Sequence, residues 1–199
     1  MPHEQPPTHN DHEPSLERVS PPSPRIYVAS LADYNVGRLH GIWLDANRDH
    51  GELQADVRDM LADSPEPGAE EYAIHDYEGF GDARLAEYDS LELVSRIACG
   101  IAAHGPAFAA WARIQEGDEA ALDRFEEAYL GHHESEQAYA EQLIDDLGYQ
   151  QLLDASVPAS LRPYARIDID ALARDMQLDG DLHFYPAEDG SVWVFDRRI

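Results

Sequence analysis

The stretch RIYVASLADYNVGRLHGIWLDA (25–46) holds two apolar runs, RIYVASL (25–31) and RLHGIWLDA (38–46), separated by the turn-forming DYNVG (33–37). β-Branched and aromatic residues bounded by Asn and Gly read as strands, so the pair predicts a β-hairpin. Downstream, ELQADVRDMLA (52–62) sets Leu53, Val57, Met60 and Leu61 at helical spacing and stops at Ser64 and Pro65. EYAIHDY (71–77) is another strand-like run, which completes a ββαβ unit over 25–80.

Beyond this unit the periodicity changes from two to about 3.6 residues. Asp89 and Glu92 flank a capping-box-like start, and Leu93, Val94, Ile97 and Ile101 form an apolar face that ends near His104-Gly105. Pro106 suits the first position of a second helix, with Phe108, Trp111 and Ile114 inside it. A third is predicted from Asp118, with Leu122, Phe125 and Tyr129 along one side. Ser135 caps a fourth, burying Tyr139, Leu143, Ile144 and Leu147. Residues 81–157 therefore read as an acidic helical domain. Pro158 and Pro163 mark a break, IDALARDMQL (169–178) is a short helix, and DLHFYPAEDGSVWVFD (181–196) reads as a hairpin turning at Glu188-Asp189-Gly190. Its packing residues Leu182, Phe184, Tyr185, Val192, Val194 and Phe195 form a candidate dimer region over 158–199, because a terminal hairpin leaves an edge that a second copy can pair. On the other side, residues 1–24 hold seven of the 13 prolines and no apolar period, and read as a disordered Pro- and His-rich tail carrying His3, His9 and His12. The expected fold class is α+β, in three small domains.

Forty Asp and Glu stand against 14 basic residues, all Arg, for a net charge of −26. With 43% hydrophobic residues the chain of 199 can still build real cores. A surface this acidic repels phosphates and anionic lipid, so nucleic-acid and membrane partners are not expected. No apolar run approaches the roughly 20 residues that span a bilayer, and the N-terminus lacks the apolar core of a signal peptide. A cytoplasmic protein is expected. Cys99, in IACGI, reads as a small buried side chain in a reducing compartment.

The charge is unevenly placed. Residues 63–95 hold ten acids against one Arg: Asp63, Glu66, Glu70, Glu71, Asp76, Glu78, Asp82, Glu87, Asp89 and Glu92. On a continuous helix from Asp118, the acids Glu116, Glu119, Asp123, Glu126 and Glu127 share an arc of about 100°. Glu141 and Asp145 repeat an i, i+4 row on the next helix, with Glu134, Glu136 and Asp146 beside it. Like charges at that spacing cost roughly 0.2–0.5 kcal/mol per pair, and no Lys or Arg is interleaved within those rows to relieve it. Acids three to four residues apart rise about 4.5–6 Å per charge, against about 3.4 Å per phosphate on one DNA strand. Two such helices together approach the charge density of a duplex. High acid content with no Lys also fits adaptation to salt, so composition leaves both readings open.

The stretch MLADSPEPGAEEYAIHDYEGF (60–80) resembles the antirestriction motif of the ArdA family. The opening Arg-Ile-Tyr-Val strand, the Asn-x-Gly turn and the Gly-x-Trp-Leu-Asp segment are similar to that family's start, and Tyr164, DIDALARDM and the aromatic hairpin to its end. The resemblance covers about 25–199. It implies an elongated three-domain molecule, dimeric through its C-terminal domain, whose acidic surface imitates B-form DNA. It also implies a target, the specificity and methyltransferase subunits of type I restriction-modification enzymes, whose inhibition protects incoming mobile DNA. On that reading the acids named above, with Asp118, stand in for phosphates. No cofactor, metal or catalysis is expected: His75 and Asp76 point to opposite sides of a strand, His132-His133 has no zinc-like partner spacing, and no P-loop, Rossmann, G-x-S-x-G or H-E-x-x-H pattern is present. The other reading that stays open is an acidic module that binds a different basic protein, such as a nucleoid protein.

Overall fold

A computed structural model describes residues 23–199. Apart from Ser23 and Pro24, the tail predicted over 1–24 lies outside the described residues, His3, His9 and His12 included.

The first sheet has the order β2-β1-β3, with β1 (Arg25–Ser30) between β2 (Gly41–Asp45) and β3 (Tyr72–Glu78), antiparallel throughout. The predicted pairing is present, with Ile26 opposite Leu44 and Val28 opposite Ile42. The connection differs from a simple turn. Leu31–Asn35 forms a helical turn, α1, because Ser30 accepts a hydrogen bond from the Asp33 N–H. That Ser-x-x-Asp spacing is a capping signature, and it prevails over the turn propensity of DYNVG. A Cβ at Gly41 would overlap the Val28 carbonyl, so the approach of β2 to β1 requires glycine there. α2 (His50–Ala62), capped by Asp49, buries Leu53, Val57 and Met60.

α3 (Leu91–His104) is capped by Ser90, which accepts from the Leu93 N–H at 3.0 Å, and not by Asp89. α4 (Pro106–Ile114) buries Ala107 to Ala112 without interruption, so it lies inside the molecule. α3 and α4 meet at Gly100, where a Cβ would overlap the Phe108 ring. Cys99 is exposed, contrary to the buried reading. It lies seven residues from exposed Glu92 on the outer face of α3, while Val94, Ile97 and Ala98 fill the inner one.

The third predicted helix is where sequence and structure part. α5 (Glu119–Leu122) and α6 (Phe125–Ala128) are single turns separated at Asp123-Arg124, and Tyr129–His133 is a strand, β4. β4 pairs antiparallel with β6 (Val192–Asp196), which pairs in turn with β5 (Leu182–Pro186), giving the order β4-β6-β5. The unpaired edge of the terminal hairpin draws the aromatic YLGHH segment out of helix. Tertiary pairing overrides a helical period of only three apolar residues. α7 (Glu136–Asp146) starts at Ser135 as predicted, and α8 (Tyr149–Ser156) follows after Gly148 in the left-handed region. α9 (Ile169–Asp179) precedes the hairpin.

The second sheet packs on both faces. Phe195 meets Trp111, Phe125 and Tyr129, while Phe184 and His133 meet Tyr139 of α7. The buried apolar cluster runs from Ile26 and Val28 through Val94 and Trp111 to Phe195. The class is α+β with a terminal hairpin, as expected.

Candidate acidic interaction surface

The structure places every carboxylate singled out in the sequence at or near solvent. Glu66, Asp89, Glu119 and Glu136 are half-buried, and the others, from Asp63 to Asp146, are exposed. Among the described residues only Asp33 and Asp196 are buried acids. The reason is energetic, since a carboxylate enters the core only where donors replace its water.

Asp33 is such a case, and it organises the motif. Its side chain is fully buried and accepts from the Ser64 hydroxyl and from Arg38 Nη1 at 3.0 Å. The same Arg38 nitrogen reaches Glu66 at 2.9 Å. Burial alone would raise the Asp33 pKa, but the hydroxyls of Ser64 and Ser30 and the Arg38 guanidinium outweigh it and hold the group below the ordinary carboxylate value. Two further bonds fix the same segment: Leu31 N–H donates to the Glu71 carbonyl at 3.0 Å, and His40 Nε2 lies 2.7 Å from the Met60 carbonyl. The loop carrying Asp63, Glu66, Glu70 and Glu71 is therefore tied at both ends and in its middle.

From Tyr72 the chain becomes β3, which skips one residue opposite Tyr27 and Val28, so that His75 forms a bulge. Past the bulge Asp76 and Glu78 point outward and Tyr77 inward onto Phe80. Ile74 and Phe80 are buried and Tyr72 half-buried, which makes these motif side chains packing residues. The returning segment donates no strand, but Ile74 N–H reaches the Glu87 carbonyl at 2.9 Å and brings Glu87 back beside the loop. Exposed Tyr88 registers the result. The Glu87 carboxylate first, with Glu71 adding to it, pushes its phenol pKa up. Of the ten acids over 63–95, only Glu66 and Glu78 have an Arg partner among the described residues, Arg38 and Arg25 respectively.

The helical acids behave differently. The break at Asp123-Arg124 disperses the single arc expected for Glu116, Glu119, Asp123, Glu126 and Glu127. Asp118 is the cap of α5, accepting from the N–H groups of Ala120 and Ala121. Arg96 of α3, 23 residues from Glu119 in sequence, ion-pairs with Glu119 at 3.5 Å and with Asp123. His104 lies 3.9 Å from Glu126. Glu116 sits at φ 50, a left-handed conformation that suits few side chains. On α7, Glu141, Asp145 and Asp146 are exposed without a basic partner among the described residues, and Glu136 accepts from Gln177 of α9. Glu134 precedes the helix and is exposed.

The six hairpin residues divide between interior and surface. Val194 and Phe195 are fully buried in the chain's own core. Leu182, Phe184, Tyr185 and Val192 are half-buried. Asp196 is held below the ordinary carboxylate value by Arg198, whose Nε and Nη2 reach it at 2.9 and 2.6 Å.

Sequence reasoning missed Asp33, Arg38 and Arg96. The Ser30-x-x-Asp33 spacing directly after a strand was a legible sign of the first. The surface acids that the two arginines pair with, Glu66 for Arg38 and Asp123 for Arg96, lie 28 and 27 residues away and had no such sign. Among the described residues, no group of three or more His, Cys, Asp and Glu is placed to hold a metal ion, and no helix is long and apolar enough to cross a membrane.

Fold and surface together define a class: an acidic α+β protein that carries its carboxylates on loops, strand faces and helix faces around an apolar core. A family model described as antirestriction protein (ArdA) matches residues 26–190, and the chain belongs to that family. Membership gives it an antirestriction role, and with it interaction with restriction enzymes. No curated protein matched the chain in a sequence search.

Proposed function

We propose that the protein inhibits type I restriction-modification enzymes by imitating B-form DNA. Its exposed carboxylates occupy the basic DNA groove formed by the specificity and methyltransferase subunits and exclude the duplex competitively. The observation that carries this reading is the motif segment 63–95, whose loop is tied down through Asp33 and Arg38 and most of whose acids stay free of basic partners among the described residues. Fixed, unneutralised charge is what a groove evolved for phosphates attracts. Residues 25–80, 81–157 and 158–199 act as three parts of one carboxylate-bearing body in the cytoplasm, protecting incoming mobile DNA.

Dimerisation through the C-terminal region belongs to the same proposal. β5 pairs with β6 on one side only among the described residues, and Tyr164, Leu161 and Leu178 are exposed nearby in sequence. Sedimentation at micromolar concentration tests it, a species of 22.3 kDa counting against. The inhibition itself is tested in cells carrying a type I system, with and without the protein, by scoring restriction and methylation of incoming DNA together. Loss of both activities is expected; unchanged restriction would refute the proposal.

A further inference from the structure

A cleft of about 510 Å³ opens where the end of the motif meets the second sheet. Its walls come from four separate segments: Asp82 after the motif, Pro106 at the start of α4, His132 on β4, and Glu188, Asp189 and Trp193 of the terminal hairpin. Two rings, His132 and Trp193, line the cleft, and the strand register continues them into a row with Tyr185 beyond the lining. His132 and Tyr185 are the direct cross-strand neighbours of Trp193 on either side, so the three rings form a row across all three strands, 6.1 Å between successive centroids. Each ring is partly open to solvent.

The rim is acidic and its polar groups are already oriented. The Ser191 hydroxyl and N–H both donate to Asp189, and since that hydroxyl proton is committed, Ser191 accepts from His132 Nε2. Asp82, Glu188 and Asp189 are in none of the ion pairs among the described residues, and Asp82 is hydrogen-bonded by the Tyr185 hydroxyl. Arg84 and Arg113 act on Tyr185, at the other end of the row from His132, and neither lines the cleft. The volume falls within the range of small-ligand sites, and the walls are mainly apolar.

From this combination we infer that the cleft receives an arginine side chain of the partner protein, its guanidinium laid on Trp193 and bonded to the carboxylates of Asp82 and Glu188. A planar, weakly hydrated cation stacks on an indole and forks to carboxylates; a lysine ammonium matches the charge but not the plane. Phosphate and carboxylate ligands are repelled by the same rim. The inference rests on the proposed groove-binding function and adds to it a point of side-chain discrimination that a row of surface carboxylates lacks.

The test compares hexa-arginine with hexa-lysine, following the Trp193 indole N–H by two-dimensional NMR in 0.15 M salt. Hexa-arginine is expected to shift that signal and to bind about fivefold more tightly than hexa-lysine. Trp193→Leu should reduce the preference to about twofold or less, as should the double variant Asp82→Asn with Glu188→Gln. Both residues of the double variant are exposed, so its result does not depend on how well the Trp variant folds. Neutralising Glu119, Asp123, Glu126 and Glu127 should weaken both peptides in equal proportion. Equal binding of the two peptides by the unaltered protein, or an arginine preference that survives both variants, overturns the inference. Inhibition of a type I enzyme is measured in parallel. Inhibition without arginine preference removes the cleft and leaves the function, whereas preference without inhibition leaves the cleft and removes the target.

Discussion

The two acidic regions of the molecule carry charge in different ways. Around the motif, the carboxylates of 63–95 lie on a loop, a strand face and a returning segment, and the loop is tied to buried Asp33 through Ser64 and to Arg38 through Glu66. Across α5 and α6, Arg96 reaches over from α3 and ion-pairs with Glu119 and Asp123 at the same surface, with His104 lying 3.9 Å from Glu126. The motif region holds more acids and pairs a smaller share of them with arginine. Arg38 divides its contacts between buried Asp33 and one surface acid, Glu66, and so ties the loop down, whereas Arg96 gives both of its ion pairs to surface acids.

That contrast can be broken or sharpened in turn. Replacing Asp63, Glu70, Glu71 and Glu87 by their amides is expected to cut inhibition of a type I enzyme by about tenfold, roughly 1.4 kcal/mol, and to flatten its salt dependence. The matching quadruple change at Glu119, Asp123, Glu126 and Glu127 should cost only about threefold, since the break between α5 and α6 disperses these acids and Arg96 holds two of them in ion pairs away from a partner. Inhibition titrations at two salt concentrations decide between them, and equal losses would erase the distinction.

A packing effect of comparable size lies where α3 meets α4. Gly100→Ala forces a methyl group into the Phe108 ring where α3 crosses α4, and should destabilise by about 1–3 kcal/mol, read as a denaturant midpoint. The motif clamp has a pH signature. Because the Asp33 pKa is lowered on folding, its contribution is complete above the ordinary carboxylate range and is lost as pH falls through the lowered value. The stability difference between the protein and Asp33→Asn is therefore expected to be constant from pH 7 down to about 5 and to shrink below about 4. A difference that grows on acidification would reverse the sign of the coupling. In the α5 region, Asp118→Ala should cost about 1 kcal/mol through loss of the cap, with little change in inhibition. Smallest is Glu116→Gly, expected to stabilise by about 0.5 kcal/mol by relieving the left-handed φ.

Local signals carried far in this chain. The apolar runs at 25–31 and 38–46 pair as read, Ser135 caps its helix, and Glu188-Asp189-Gly190 turns its hairpin. The reading failed where the partner of a segment was distant. Leu122, Phe125 and Tyr129 have helical spacing, but the open side of β6 takes Tyr129–His133 as a strand, and nothing within that segment reports β6. The candidate surface divides in the same way. The exposure of its acids follows from their charge, while their neutralisation depends on Arg38 and Arg96, placed by tertiary contacts.

By itself the sequence determined the α+β class, the acidity and its concentration in 63–95, because composition and short-range periodicity are properties of the chain. Tertiary structure alone decided which of those charges stay free, made Asp33 an anchor, and assembled His132, Trp193 and Tyr185 into one row. Electrostatic and stacking energies fall off over a few ångströms of space, and residues tens of positions apart acquire such distances only when the chain is folded.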